Sequence, residues 1–488
     1  MGVLDAMVDA GYLTASERAD LAYLYASIGQ APADVGTGAP APSEGAPALA
    51  AAPLVNDLAS LPDPLPIEPL SGPIPDVTVP IPGSKSITNR ALVCAALGNG
   101  PSVLTGILDS DDTNAMLEAL RTLGIQIEVD GDRASVWGCS GRLPVRSATL
   151  DMRMSGTTSR FLLPLAALGK DSITLDGHES MRARPMADGI AAIETLGRSV
   201  TSNDGCLPVT VAPDPDVDEL AGSVEVRGDV SSQFLSGLLL VAPCLPDGLE
   251  ITVDGPLQSV PYVDLTVAVM RAFGAKVEVA DDRRWFAVEP TGYQQIAYDI
   301  EPDASAASYF LAAAALCGGS VTIDGLGSDS LQGDVRFAEV LRSCGAGVEL
   351  RPGSVTVTGG ALSGGVFDLA DISDTAQTLA AIVPFASSSV TVEGIGFIRR
   401  KETDRIHAVV TELQRLGIGA TELDDGFVIE PGPVSGGTVQ TYDDHRMAMS
   451  FAILGLKAPG IAIADPGCVA KTFPGFWATL ELLRGTPR

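Results

Sequence analysis

The stretch Arg399-Arg400-Lys401-Glu402-Thr403-Asp404-Arg405 places four cations and two carboxylates in seven residues, a local charge of +2 in a chain whose net charge is −30. Lysine is scarce: Lys85, Lys170, Lys276, Lys401, Lys457 and Lys471 are the lysines among 31 basic residues. Ile406, Val409, Val410, Leu413 and Leu416 recur at helical spacing, so the stretch reads as the opening of a helix with Lys401 and Arg405 on one face. Two cations at a helix start, where the dipole is already positive, make sense around an anion. The plainer alternative is a solvated turn in which Glu402 and Asp404 neutralise the cations.

Other basic residues stand in similar places. Helices are expected to open at Gly83-Ser84-Lys85-Ser86, Met154-Ser155-Gly156-Thr157, Val230-Ser231-Ser232-Gln233, Asp303-Ala304-Ser305, Ile372-Ser373-Asp374-Thr375 and Asp443-Asp444-His445-Arg446. Ser, Thr and Asp are ordinary N-caps, and capping alone accounts for them. It does not account for Lys85, Arg90, Arg160 and Arg446 in the same first turns, where a cation opposes the dipole. Arg182-Ala183-Arg184-Pro185 and Lys471-Thr472-Phe473-Pro474 add cations at the openings of second helices. Brought together, these helix starts would surround a strongly anionic ligand. Asp374 and Glu402 are the carboxylates inside that pattern. A carboxylate among cations stays ionised and can accept a proton from a hydroxyl beside it. The plainer roles are an N-cap for Asp374 and an ion pair with Arg405 for Glu402.

The elements that position these residues repeat. A glycine follows an amphipathic helix at Gly124, Gly197, Gly274, Gly345 and Gly417, and more weakly at Gly485, about every 70 residues. Such a glycine marks a helix C-cap. After the first comes a strand, an Asp130-Gly131 turn and a strand over Ala134 to Trp137. A second series, Gly106, Gly177, Gly255, Gly325, Gly394 and Gly467, ends another strand of each unit. Each unit reads strand, helix, strand, helix, strand, strand. Six such α/β units imply two domains of three units each.

Composition sets the outer limits. The chain has 488 residues, 46% hydrophobic and 19% charged, enough for two or three domains with real cores. No apolar run approaches a membrane span. Residues 1–10 lack the basic region of a secretory signal. Cys94, Cys139, Cys206, Cys244, Cys317, Cys344 and Cys468 stand singly beside three histidines, which disfavours zinc or a disulfide framework and suits a reducing cytoplasm. The acidic charge disfavours nucleic acid and anionic membrane as partners. Residues 1–29 read as a short helical module, with capping-box spacing at Thr14 and Glu17. Residues 30–65, rich in Ala, Pro and Gly, read as a flexible linker.

These motifs in combination resemble the 3-phosphoshikimate 1-carboxyvinyltransferase (5-enolpyruvylshikimate-3-phosphate synthase) family. The resemblance runs from about Ile74 to the C-terminus and rests on Pro82-Gly83-Ser84-Lys85-Ser86 with Asn89-Arg90, Ser155-Gly156-Thr157, Arg182-Ala183-Arg184-Pro185, Ser231-Ser232-Gln233, Lys401 to Arg405, Asp444 to Met449 and Lys471 to Pro474. It implies an inside-out α/β barrel fold: a first three-unit domain over 83–301 and a second over 66–82 plus 302–488, with crossings near Gly83 and Glu301. It implies transfer of the enolpyruvyl group of phosphoenolpyruvate to the 5-hydroxyl of shikimate 3-phosphate, without metal or organic cofactor, by a monomer.

By the same resemblance, Asp374 is the proton acceptor, Glu402 the proton donor, and Lys85 lies between the substrates. Gly156, Arg184, Gln233, Arg405, Arg446 and Lys471 match the phosphoenolpyruvate side; Ser86, Arg90, Ser231, Ser232, Gln233, Ser259, Tyr262, Asp374 and Lys401 match the shikimate 3-phosphate side. His445 matches a residue beside the reaction centre without a proton-transfer role. Met154 and Phe397 stand where the family often has Asn, and both are left out of the site. Glyphosate occupies the phosphoenolpyruvate site in the family, and Gly156 is expected to leave room that a methyl group would fill. Two other readings are a sister enzyme that transfers enolpyruvyl to UDP-N-acetylglucosamine with a loop cysteine, and a non-catalytic anion-binding relative. The Lys401–Arg405 pattern speaks against the first, and the joint presence of Lys85, Asp374 and Glu402 against the second.

Overall fold

The computed structural model describes residues 58–217, 220–229 and 231–485. The helical module expected over 1–29 lies outside the described residues, as does most of the expected linker. The linker's last residues hold a 3-10 turn, Leu58–Ser60, and the first strand begins at Leu65.

Six helices form the inner layer: α1 (Lys85–Leu97), α2 (Gly156–Ala166), α3 (Ser232–Val241), α4 (Ala304–Cys317), α5 (Ala376–Ile382) and α6 (His445–Gly455). Their sequences are apolar or small on nearly every face, so they can only be stable enclosed. In α1 every residue from Ile87 to Leu97 is buried, and in α4 nearly all are. The outer helices, such as Asp111–Thr122 and Arg405–Arg415, alternate buried and solvent-facing positions. Among the described residues, six small sheets complete the units. Five have four strands and one topology: a parallel pair whose inner member pairs with the second arm of an antiparallel hairpin, as in Ala148–Asp151 beside Ile173–Asp176 beside Cys206–Pro213 beside Arg198–Asn203. The six expected C-cap glycines all adopt left-handed φ, between 77° and 101°.

The buried apolar residues form two clusters. One draws on Ile87 to Ile300; the other on Ile67, Ile74 and Val79 together with Ala304 to Leu483. The first unit's sheet takes its outer strand, Ala297–Asp299, from the far end of its own half, parallel to Pro101–Thr105. The fourth unit takes Ile74–Thr78 from the beginning of the chain, parallel to Gly319–Asp324. The connections between the halves run side by side: Ser84 N donates to Glu301 O at 2.8 Å, and Asp303 N to Pro82 O at 2.8 Å. Among the described residues no helix is long and apolar enough to cross a membrane.

Candidate functional site

Caps explain where the central helices begin. Ser84, Ser155, Ser231, Asp303 and Asp444 each accept a hydrogen bond from a backbone N–H of the first turn. The fifth start departs from this pattern. Asp374 lies in a 3-10 turn, Ala370–Thr375, kinked at Ile372, and α5 begins two residues later without a side-chain cap. Asp374 is therefore not an N-cap, and its carboxylate is free to meet other groups.

A cavity of about 650 Å³ lies where five of these six starts, all but that of α4, converge. Lys85, Ser86, Arg90, Gly156, Arg184, Ser231, Ser232, Gln233, Ser259, Tyr262, Asp374, Lys401, Glu402, Arg405 and Arg446 all line it. Lys471 stands just behind its wall, with Nζ 3.0 Å from Asp112 Oδ1 and 2.8 Å from the Met154 carbonyl. The sequence patterns thus converge on one place although they span 387 positions, from Lys85 to Lys471.

The structure departs from the sequence expectation at Arg399 to Arg405 and at Arg182. The helix opens at Arg405, capped by Asp404, and not at Arg399; residues 396–400 form a 3-10 turn, and Lys401 has left helical geometry at ψ −142°. The Asp404 side chain accepts from His407 N and ends the helix there. Lys401 and Arg405 still meet, because both reach Asp374 Oδ1, at 3.5 and 3.0 Å. Arg182, expected to feed the anion site, is instead half-exposed and paired with Asp176 at 2.6 Å.

The two candidate carboxylates share one guanidinium. Arg405 is buried and places Nη1 3.0 Å from Asp374 Oδ1 and Nη2 2.8 Å from Glu402 Oε2, while Asp444 holds its Nε at 2.7 Å. Arg446 Nη2 adds a 2.6 Å bond to Asp374 Oδ2. Burial alone would raise the Asp374 carboxyl, but Arg446, Lys401 and Arg405 outweigh it and hold it well below the usual carboxylate range. Glu402 is held down in the same way against burial, chiefly by Arg405 and Arg184. Burial and the charges of Arg446 and Lys85 keep His445 neutral; its ring nitrogens find no hydrogen-bond partner.

Asp112 joins the site without any sequence pattern that marks it. It binds Lys85 at 3.1 Å with one oxygen and Lys471 at 3.0 Å with the other. Against its burial, Lys471 and Lys85 lower its carboxyl. Asp111-Asp112 behind Ser110 looks like ordinary acidic residues in a helix's first turn, so no sequence signal marked it. Arg160, one of the basic residues at the helix starts, also lines the cavity. Its Nη1 donates to Gly156 O and Gln233 Oε1, both at 3.2 Å. Burial and nearby Arg184 push its guanidinium down to about 10.

Two expected site residues, Arg90 and Gly156, differ in detail from the expectation, and two residues left out of the site, Phe397 and Met154, lie beside it. Arg90 lines the cavity, yet Nε, Nη1 and Nη2 already donate to Thr266 Oγ1, Ser86 O and Tyr262 O at 2.7, 2.8 and 3.0 Å. Gly156 does not leave an open space: an added Cβ would stand 2.6 Å from Arg160 Nη1 and 2.9 Å from Arg184 Nη1. Phe397 and Met154 take part without amides. The Phe397 ring lies 5.9 Å from Lys401 Nζ, and Met154 serves through its carbonyl.

The arrangement can hold anions, take a proton at one carboxylate and give one at another. Comparison with known proteins places the chain in a family. A family model described as EPSP synthase (3-phosphoshikimate 1-carboxyvinyltransferase) matches residues 71–480. The 3-phosphoshikimate 1-carboxyvinyltransferase of Nostoc punctiforme is 44% identical over 420 residues, covering 85% of this chain and 98% of that protein. That of Nitrosomonas europaea is 42% identical over 423 residues, covering 84% and 96%. A solved structure of EPSP synthase from Acinetobacter baumannii superposes with a TM-score of 0.71 at 25% identity, covering 85% of this chain and 97% of that one.

Proposed function

From the premise that this chain belongs to the EPSP synthase (3-phosphoshikimate 1-carboxyvinyltransferase) family, we infer how its residues divide the work. The protein transfers the enolpyruvyl group of phosphoenolpyruvate to the 5-hydroxyl of shikimate 3-phosphate and releases phosphate, by addition and then elimination. Asp374, ionised among its cations, takes the proton of the attacking hydroxyl. Lys401, Ser231, Ser232 and Tyr262 hold shikimate 3-phosphate against it. Arg184, Arg405, Arg446 and Lys471 hold the phosphate and carboxylate of phosphoenolpyruvate, and Lys85 lies between the two substrates.

Glu402 gives a proton to the methylene carbon. In the unliganded cavity the cations keep it ionised, so it has to be protonated first. Bound phosphate and carboxylate would neutralise Arg405, Arg184 and Lys471, and Glu402 would then rise toward a range where it can carry a proton. Substrate binding thus arms the acid. The observation that carries this reading is the Arg405 fork, which sets the base and the acid on two nitrogens of one guanidinium, at 3.0 and 2.8 Å. We place the reaction in the cytoplasm and assign it to a monomer.

The test is phosphate release with phosphoenolpyruvate, with and without shikimate 3-phosphate, in wild type, Glu402→Gln and Asp374→Asn. Release should need both substrates and fall by about 10²–10⁴ in each variant. Full activity in either variant would remove that residue's role. Release supported by UDP-N-acetylglucosamine instead would reassign the acceptor.

A further inference from the structure

The start of α4 is the one central helix start that does not line the main cavity. It opens on a neighbouring pocket of about 10 Å³ lined by Ser84, Ser86, Tyr262, Asp303, Ser305 and Asp334, among others. Asp334 is buried there. Its Oδ2 accepts from Ser305 Oγ and, at 3.1 Å, from the Tyr262 hydroxyl, while Oδ1 is shut off from solvent without a partner. The same Tyr262 hydroxyl stands 3.4 Å from Asp374 Oδ2. One hydroxyl hydrogen therefore faces two carboxyls and can serve only one at a time.

The two carboxyls have unlike surroundings. Asp374 is held by Arg446, Arg405 and Lys401. Asp334 faces Asp374 and Asp303, with Ser305 and Tyr262 as neutral neighbours and Arg446 as the nearby cation. Arg336, two residues on, turns away to Asp371 at 3.3 Å. Burial and then the charge of Asp374 push the Asp334 carboxyl up to about 6, opposite to the direction of Asp374. A pair pushed apart in this way takes unlike proton roles.

We propose that Asp334, acting through Tyr262, is the second resting place of the proton that Asp374 takes from the attacking hydroxyl. The step needs no further reactant. Asp374 gives its proton to the Tyr262 oxygen as the hydrogen of Tyr262 passes to Asp334 Oδ2. One O–H bond breaks on Asp374, one forms on Asp334, and the tyrosine ends neutral. Burial beside Asp334 and Asp374 holds the Tyr262 hydroxyl well above its usual range, so the exchange is concerted and passes through no phenolate. It runs downhill, because the cations around Asp374 favour its ionised form. Asp334 lines the neighbouring pocket and not the main cavity, and it acts through Asp374, so the proposal rests on Asp374 being the base.

Its position is fixed by the connection between the halves. The carboxylate of Glu301 accepts from Ser330 Oγ, Leu331 N and Gln332 Nε2 at 2.7, 2.9 and 3.0 Å, which seats the segment leading into Asp334. Tyr262 comes from the other half, so the relay joins one group of the first half to two of the second.

The test is the rate of single-turnover phosphate release as a function of pH in wild type, Asp334→Asn, Tyr262→Phe and Ser305→Ala, with Asp374→Asn as reference. Wild type should lose rate as the pH falls through about 6, where a protonated Asp334 can no longer accept. Asp334→Asn keeps an acceptor oxygen for Tyr262 but cannot take the proton; its rate should fall at least about 10-fold, with KM unchanged and that acidic limb gone. Tyr262→Phe should also lose the limb. Ser305→Ala should keep the plateau and move the limb to higher pH, because the Ser305 hydrogen bond lowers Asp334. An intact limb and rate in Asp334→Asn, or a loss confined to KM, would overturn the proposal. If Asp334→Asn does not fold, the other two decide: an unmoved limb in both overturns it. An active Asp374→Asn would instead overturn the assignment of the base, whereas an inactive one beside an unaffected Asp334→Asn removes the relay alone.

Discussion

Removing the charge of Asp112 would leave the ammonium groups of Lys85 and Lys471 facing each other across a buried wall. Asp112→Asn should lower kcat/KM by about 100-fold and, because a buried charge pair loses one partner, destabilise the fold by about 3 kcal/mol at neutral pH. The folded carboxyl of Asp112 lies below its unfolded value. Its contribution is therefore present above the unfolded pKa and disappears as pH falls through the folded one. Urea unfolding of wild type and variant should differ at neutral pH and converge in acid; an equal gap at both would rule out the charge as the cause. At Gly156 a methyl group has to displace the ends of Arg160 and Arg184. We expect Gly156→Ala to raise the KM for phosphoenolpyruvate about 10-fold and to weaken glyphosate inhibition at least as much, since both ligands present an anion to those guanidiniums. Competition kinetics decide it: an unchanged inhibition constant would show that the displaced cations do not bind glyphosate.

At the scale of elements, the turns and caps were the most legible part of the sequence. Gly131 and Gly345 both adopt left-handed φ, at 59° and 101°, but an added Cβ at Gly131 meets nothing within 4 Å whereas at Gly345 it stands 2.5 Å from the Ala361 carbonyl oxygen. Gly131→Ala should destabilise by about 1 kcal/mol and Gly345→Ala by clearly more; equal urea midpoints would show that the steric contact relaxes freely. Glycine repeats and N-cap residues act within a few positions of chain, so the sequence displays them, and the six units and five of the six helix starts were readable from it. What was not readable depends on groups far apart in the chain. Asp112 matters because Lys471 comes to it from 359 positions away. Asp334 looks like any acid before a short helix until Tyr262 is set against it. The start at Arg405 is not legible from apolar spacing, which gives a helix's face and not its first residue; the Asp404 cap decides that.

The whole molecule carries −30, yet among the described residues the buried cations gather in or just behind the wall of one cavity. Self-repulsion of the acidic surface should make added salt stabilising: Tm should rise between low and moderate ionic strength, and a flat response would mean the surface charges are already compensated. Removal of residues 1–57 should leave phosphate release intact, whereas removal through residue 72 should not. The second cut takes Leu65–Ile67, which pairs with Ile461–Ile463, and the Glu68 and Pro69 carbonyls that hold Arg484. The borrowed outer strands have a further consequence for the order in which the protein can be made. The first half is one unbroken run of chain that closes on itself when Ala297–Asp299 leaves the ribosome and docks beside Pro101–Thr105. Ile74–Thr78 is synthesised before any of that half, yet its partner Gly319–Asp324 is synthesised after all of it. During translation this early strand has no place to go while the half behind it folds, so a chaperone that binds exposed strands should meet the nascent chain there first.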